Sequence, residues 1–214
     1  MQRQRISSGV VVAVAMLAVA LVMPARGQVG TGLLDLNTAT EAQLTALPHM
    51  TPAIVKAFIP ARPFPGILEA NKFLTGQGLS AEQAMELYRQ AFIHVNLNTG
   101  TEAEILLIPG AGNRMAHEFE EYRPWVNFAQ FDKEIGKYVD QAEVNRLKQY
   151  VFIPVDLNTA SDEDILSIPG AGRRMVREFK EYRPWVNKAQ FDREIGKYVD
   201  EKEVARLWRY VVIK

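Results

Sequence analysis

The apolar positions of the C-terminal third fall on a helical period. Met175, Val176, Phe179 and Tyr182 share one face, and Pro184 stops the run. Sixty residues earlier Met115, Ala116, Phe119 and Tyr122 repeat the face ahead of Pro124. A shorter helix is predicted before each. It starts at Thr40, Thr101 or Ser161, each followed three residues on by Gln43, Glu104 or Asp164 in a capping-box arrangement. It ends by Pro48, Pro109 or Pro169, because proline disfavours helical geometry in the residue before it. Phe131 to Val139 predicts a third helix, and Asp140 caps a fourth carrying Val144, Leu147 and Tyr150. Ser80 with Gln83 marks the same start in the first third of the chain. The pattern predicts a mostly helical protein.

These elements belong to a repeat. Asp-Leu-Asn-Thr at Asp35 returns as Asn-Leu-Asn-Thr at Asn96 and as Asp-Leu-Asn-Thr at Asp156, a period of 61 and then 60 residues. The second and third copies share Glu-Tyr-Arg-Pro-Trp-Val-Asn at Glu121 and Glu181, and the block Ala129–Asp140 recurs at Ala189–Asp200. The first copy keeps the frame and little else. The expected organisation is a leader over residues 1–27, then units at 28–95, 96–155 and 156–214, with no flexible linker between them.

The leader expectation rests on Arg3 and Arg5, an apolar run of 14 residues from Val10 to Met23, and Ala25-Arg26-Gly27 as a small-x-small cleavage site. A membrane span needs about 20 apolar residues, so cleavage near Gly27-Gln28 and export to the periplasm or outside the cell is the first reading. An uncleaved anchor is the alternative. Basic and acidic residues balance at 25 each, and without residues 1–27 the chain carries 22 against 25. That balance excludes a strongly basic nucleic-acid coat, so any DNA binding must be local. There is no Cys, and His49, His94 and His117 lack ligand spacing. Paired carboxylates such as Asp162 and Asp164 read as helix-start charges. Neither a catalytic constellation nor a metal site is expected, and no cofactor or small-molecule substrate is implied.

After each first helix the second and third units carry Ile-Pro-Gly-Ala-Gly, Ile108–Gly112 and Ile168–Gly172. With the Leu-Asn-Thr openings at Leu36, Leu97 and Leu157, this resembles the helix-hairpin-helix domain of the ComEA-like DNA-uptake proteins. The resemblance covers nearly the whole chain after residue 27 and implies tandem units of about four short helices each. It also implies a hairpin backbone that grips duplex phosphates without reading bases, in an exported protein of competence. Physical chemistry supports that reading: a helix N-terminus after two glycines offers unpaired N–H groups and the positive end of the helix dipole. The candidate phosphate-binding residues are Gly110, Gly112 and Arg114 in the second unit, and Gly170, Gly172, Arg173, Arg174 and Arg177 in the third. Both turn glycines are expected at positive φ. Double-stranded DNA is the expected partner, bound weakly and without sequence preference.

Departures from the pattern carry equal information. The first unit has His49 and Thr51 in place of both glycines, and Pro52 removes a donor. The family's second Gly-x-Gly is replaced by Lys137–Asp140 and Lys197–Asp200, whose acids repel phosphate. The glycines also suit a tight turn alone, and Arg177 and Lys180 also suit a solvated mixed-charge face. Trp125 and Trp185 read as core and corner residues rather than base-stacking platforms. A second function class therefore stands beside the first. It is a non-enzymatic scaffold binding a periplasmic or membrane protein, similar to the extrinsic lumenal photosystem subunit U, with the Tyr-Arg-Pro-Trp segment as a candidate partner surface.

Overall fold

The computed structural model describes residues 28–214, so the expected leader lies outside the described residues. The first unit runs β1 (Leu34–Asp35), α1 (Glu41–Thr45), α2 (Pro52–Ala61), α3 (Ile67–Gly76), α4 (Ala81–Tyr88) and β2 (Ala91–Phe92). The second repeats the order as β3 (Val95–Asn96), α5 (Glu102–Ile105), α6 (Asn113–Glu121), α7 (Phe128–Ile135), α8 (Gln141–Lys148) and β4 (Val151–Phe152). The third does so as β5 (Val155–Asp156), α9 (Asp162–Ser167), α10 (Arg173–Glu181), α11 (Lys188–Ile195), α12 (Glu201–Trp208) and β6 (Val211–Val212). The protein is mostly helical. No described helix is long and apolar enough to cross a membrane.

Local signals fix the helix starts. All four capping boxes form, at Thr40, Ser80, Thr101 and Ser161. Asp140 and Asp200 cap α8 and α12. The third helix departs from expectation. It starts at Phe128, not Phe131, because the Asn127 side chain accepts from the Gln130 N–H at 2.8 Å. It ends at Ile135, with Gly136 as C-cap, so Val139 belongs to the following turn although its spacing continues the apolar face.

The strands are the larger departure, since helical periodicity gave no sign of them. Each unit is closed by its own parallel pair, β1 with β2, β3 with β4 and β5 with β6. A second closure explains two sequence motifs at once. The Asn158 amide accepts from Trp185 N–H at 2.7 Å and donates to its carbonyl at 3.0 Å. Arg183 donates to the carbonyls of Leu157 and Ala160, both at 2.7 Å. Asn98 with Trp125 and Arg123 repeats this clamp, as does Asn37 with Phe64 and Arg62. Trp125 and Trp185 are buried in the core. The tryptophan and arginine of the Tyr-Arg-Pro-Trp segment are thus committed inside the fold, which removes them from the partner surface considered above.

Units dock through aromatic pairs. Phe92 packs on Tyr150 with ring centroids 5.1 Å apart, and Phe152 on Tyr210 at 4.6 Å. Gln90 and Val212 stand at the corresponding unpaired positions at the two ends. The segment Gln28–Gly30 lies antiparallel on β4, burying Val29 against the third unit. Gly30 is required there, because a Cβ would lie 2.0 Å from the Lys148 carbonyl oxygen.

The third unit also closes on the first. Tyr210 donates to Asp35 Oδ2 at 3.4 Å, Arg209 donates to the His94 carbonyl, and His94 Nδ1 is 3.8 Å from the same carboxylate. Burial pushes the Asp35 pKa up, but His94, Arg206 and Arg209 around it outweigh that and leave it below the ordinary value. Its contribution to stability is therefore complete at neutral pH and is lost as the pH falls through the lowered value, below about pH 4. Thermal melts between pH 7 and pH 3 should show a steeper loss for the parent than for Asp35→Asn, and parallel curves would contradict this. Asn158→Ala strips two partners from the Trp185 backbone and should cost about 1–3 kcal/mol in urea unfolding. A change below about 0.5 kcal/mol, the range of ordinary surface substitutions, would show the clamp to be dispensable.

Candidate nucleic-acid interface

In the third unit the chain leaves α9 through Pro169 and turns at Gly170, which has φ +77°. Ala171 N–H bonds back to the Ile168 carbonyl at 2.9 Å, and Gly172 then starts α10 from an extended backbone, φ −102°. The second unit matches it, with Gly110 at φ +82° and Gly112 at −103°. Only the first glycine of each pair is left-handed. The expectation that both are is corrected, because an N-cap residue needs β-region geometry to direct the chain into the helix.

The two glycines do different work. A Cβ at Gly170 would stand 3.0 Å from Arg206 Nη2 and 3.1 Å from Thr38 Cγ2, so protein already occupies that side. At Gly112 and Gly172 nothing lies within 4 Å of the Cβ position. The fold does not need glycine there, and its absence of a side chain leaves the end of the next helix uncovered. Neither α6 nor α10 has a side-chain cap. The first intrahelical bond of α10 runs from Val176 N–H to the Gly172 carbonyl at 3.2 Å, so the N–H groups of Arg173, Arg174 and Met175 precede it.

The comparison inside the molecule is informative. In the first unit His49 adopts φ +64° at the position of Gly170, and its Nε2 is 2.6 Å from Glu86 Oε2. Thr51, at the position of Gly172, accepts from Ile54 N–H at 3.3 Å and so covers its own helix end. The second turns are covered too: Ser80, Asp140 and Asp200 accept from the N–H groups of Gln83, Glu143 and Glu203. Gly66 leaves α3 without a side-chain cap, but the Glu104 carboxylate lies 2.7 Å from its Cβ position. Among the described helices, α6 and α10 alone start on an uncapped residue with no carboxylate over it.

The arginines sort into three states. Arg173 is exposed and makes no ion pair among the described residues. The Arg174 guanidinium lies over Tyr198, 4.8 Å from the ring centroid, and that of Arg114 over Tyr138 at 5.2 Å. This cation–π contact restrains each guanidinium without using its N–H donors. Arg177 instead holds the buried Glu178 carboxylate at 3.0 Å, and Lys180 pairs with Asp162. The Tyr198 hydroxyl and Arg177 keep the Glu178 pKa low. Sequence reading missed Tyr138 and Tyr198, treating their Lys-Tyr-Val-Asp block as a lost hairpin. Their signal was the coincidence, in both units, of a tyrosine in the second turn with an arginine two residues after the turn glycine. No group of three His, Cys, Asp or Glu suited to a metal occurs among the described residues.

The chain matches no protein-family model, no curated protein and no solved structure.

The geometry separates the two glycines experimentally. Gly170→Ala places a side chain at positive φ against Arg206 and should cost about 1–2 kcal/mol. Gly172→Ala has both room and an allowed backbone, and should cost about 1 kcal/mol or less, as an N-cap change. Urea denaturation of the two variants checks the order, and a larger loss for Gly172→Ala would contradict the assignment.

Proposed function

We propose that this is an exported DNA-binding protein of the helix-hairpin-helix, ComEA-like kind, holding duplex phosphates without reading sequence and serving DNA uptake. The carrying observation is that the helices after Gly112 and Gly172 start uncapped and uncovered, whereas Thr51 covers its own helix. A phosphate oxygen fits such an end, accepting free N–H groups at the positive pole of the helix dipole. In the third unit Arg173 and Arg174 add charge, and in the second Arg114 does so alone. Arg177 supports Glu178 rather than the phosphate. The third unit therefore dominates binding, and the first contributes none.

The scaffold reading has one specific observation in its favour, the seating of the first unit's Asp35–Thr38 loop beside Gly170 in the third. This hairpin can receive protein. That contact lies on the Gly170 side and leaves the Gly172 side open, so both uses are compatible in one unit.

Two hairpins neutralising on the order of 3–6 phosphates should give a slope of log K against log salt of roughly −3 to −5. Fluorescence anisotropy with a duplex of arbitrary sequence measures it. Replacing Arg173 and Arg174 together by Gln should flatten the slope by up to about two, while His49→Gln leaves it unchanged. Gly172→Ala should weaken binding with circular dichroism intact. A parent that fails to bind at low salt, or a double variant that binds as well as the parent, contradicts the proposal.

A further inference from the structure

Beneath Arg174 lies a buried polar cluster that the clamp and the core do not use. The Tyr198 hydroxyl shares a hydrogen bond of 2.8 Å with that of Tyr182 and stands beside the carboxylate of Glu178, which is 2% exposed. Arg174 lies over the Tyr198 ring, and its charge joins that of Arg177 in favouring the ionised Glu178. The second unit repeats the arrangement. Tyr138 and Tyr122 share a bond of 2.8 Å beside Glu118, 6% exposed, with Arg114 over the Tyr138 ring. Lys197 and Lys137 lie over the Tyr182 and Tyr122 rings, 5.1 and 5.0 Å from the centroids. Glu178 and Glu118 each leave Oε2 without a hydrogen-bond partner.

Burying a carboxylate with an unsatisfied oxygen is costly, and the first unit folds without one. Ala53, Ala57 and Ala61 stand where the second unit has Arg114, Glu118 and Tyr122, and the turn Gly76–Leu79 contains no tyrosine. That unit nevertheless keeps the Asn37–Phe64 clamp, the parallel strand pair and four helices. The arginine, the glutamate and both tyrosines are therefore dispensable for the fold. They occur together in the two units whose second helix starts open, and they are missing together from the unit where Thr51 covers that start. Their common presence ties them to what the open end does.

An arginine loose in solvent gives up its rotamer freedom when it grips an anion, and one already restrained gives up less. We propose that Tyr198 is a positioning residue for the anion: seated by Tyr182 and Glu178, it holds the Arg174 guanidinium beside the uncapped start of α10. Tyr138, with Tyr122 and Glu118, does the same for Arg114. The inference rests on the phosphate reading above and adds that the tyrosines act through the arginines.

A double-mutant cycle on duplex affinity tests it, by fluorescence anisotropy at low salt with circular dichroism of each variant. Tyr198→Leu should bind about two- to fivefold more weakly, the worth of an exposed cation–π contact. In an Arg174→Gln background the same change should cost nothing further, because the tyrosine has no other route to the anion. In an Arg173→Gln background it should cost its full amount. Tyr198→Phe keeps the ring and loses only the hydroxyl tether, so it should recover most of the affinity. Its residual loss should also vanish without Arg174, which keeps the test readable if the leucine variant unfolds. Equal losses with and without Arg174 would reduce Tyr198 to a structural role, and a folded phenylalanine variant as weak as the leucine one would show that the ring is not the contact. Either result overturns the proposal and leaves the phosphate reading standing. A parent that does not bind the duplex overturns both.

Discussion

One bidentate contact organises each unit: the side-chain amide of Asn37, Asn98 or Asn158 pairs with both backbone groups of a residue 27 positions on, Phe64, Trp125 or Trp185. A neighbouring arginine fixes two carbonyls of the same opening loop. Together they tie the start of the unit to the corner between its second and third helices, across the helical hairpin. The helices are short, four to ten residues, and segments of that length are marginal alone. Their order depends on this tie and on the buried aromatic residue that it seats. The first unit has lost the glycine turn but keeps the clamp, with Phe64 in place of tryptophan. The clamp therefore belongs to the fold, and the turn is free to vary.

That separation explains the difference between the hairpins. Thr51 covers its helix end with its side chain, as the N-cap residues of most of the described helices do, and N-capping stabilises a helix by about 0.5–2 kcal/mol relative to Ala. Gly112 and Gly172 forgo a side-chain cap although their backbones would accept one and no atom is near. The open ends come with arginines immediately after them, two of which lie over tyrosines of the neighbouring turn. On the opposite side of the same turn the third unit receives an aspartate loop. One hairpin thus has two faces with different electrostatic partners, a helix end toward solvent and an arginine wall toward protein.

Much of this was legible in the residues. The capping boxes, the proline stops and the duplicated glycine turn follow from local rules, and the structure forms each of them. What was hidden depended on partners far away in the chain. The parallel pairs join residues more than fifty positions apart through two-residue strands such as Val151–Phe152, too short to show alternation. The start of α7 was misplaced because Phe131 and Val139 continue an apolar spacing, while the deciding signal, Asn127, sits before it. The Leu-Asn-Thr and Arg-Pro-Trp motifs were visible separately, but their joint role appears only when Asn158 and Trp185 are adjacent. At the candidate site the residues were found and their states were not. Charge alone cannot distinguish Arg177, committed to buried Glu178, from Arg174, held over Tyr198 with its donors free.

The central claim is that duplex phosphates are held at the uncapped starts of the helices after Gly112 and Gly172. Backbone amide shifts on adding a short duplex at low salt test it most directly. The account predicts saturable shifts concentrated at Arg173, Arg174 and Met175, smaller ones at Asn113, Arg114 and Met115, and none at Ala53 and Ile54. Shifts that spare residues 172–175, or that are as large at Thr51–Ile54 as at Gly172–Met175, would contradict it.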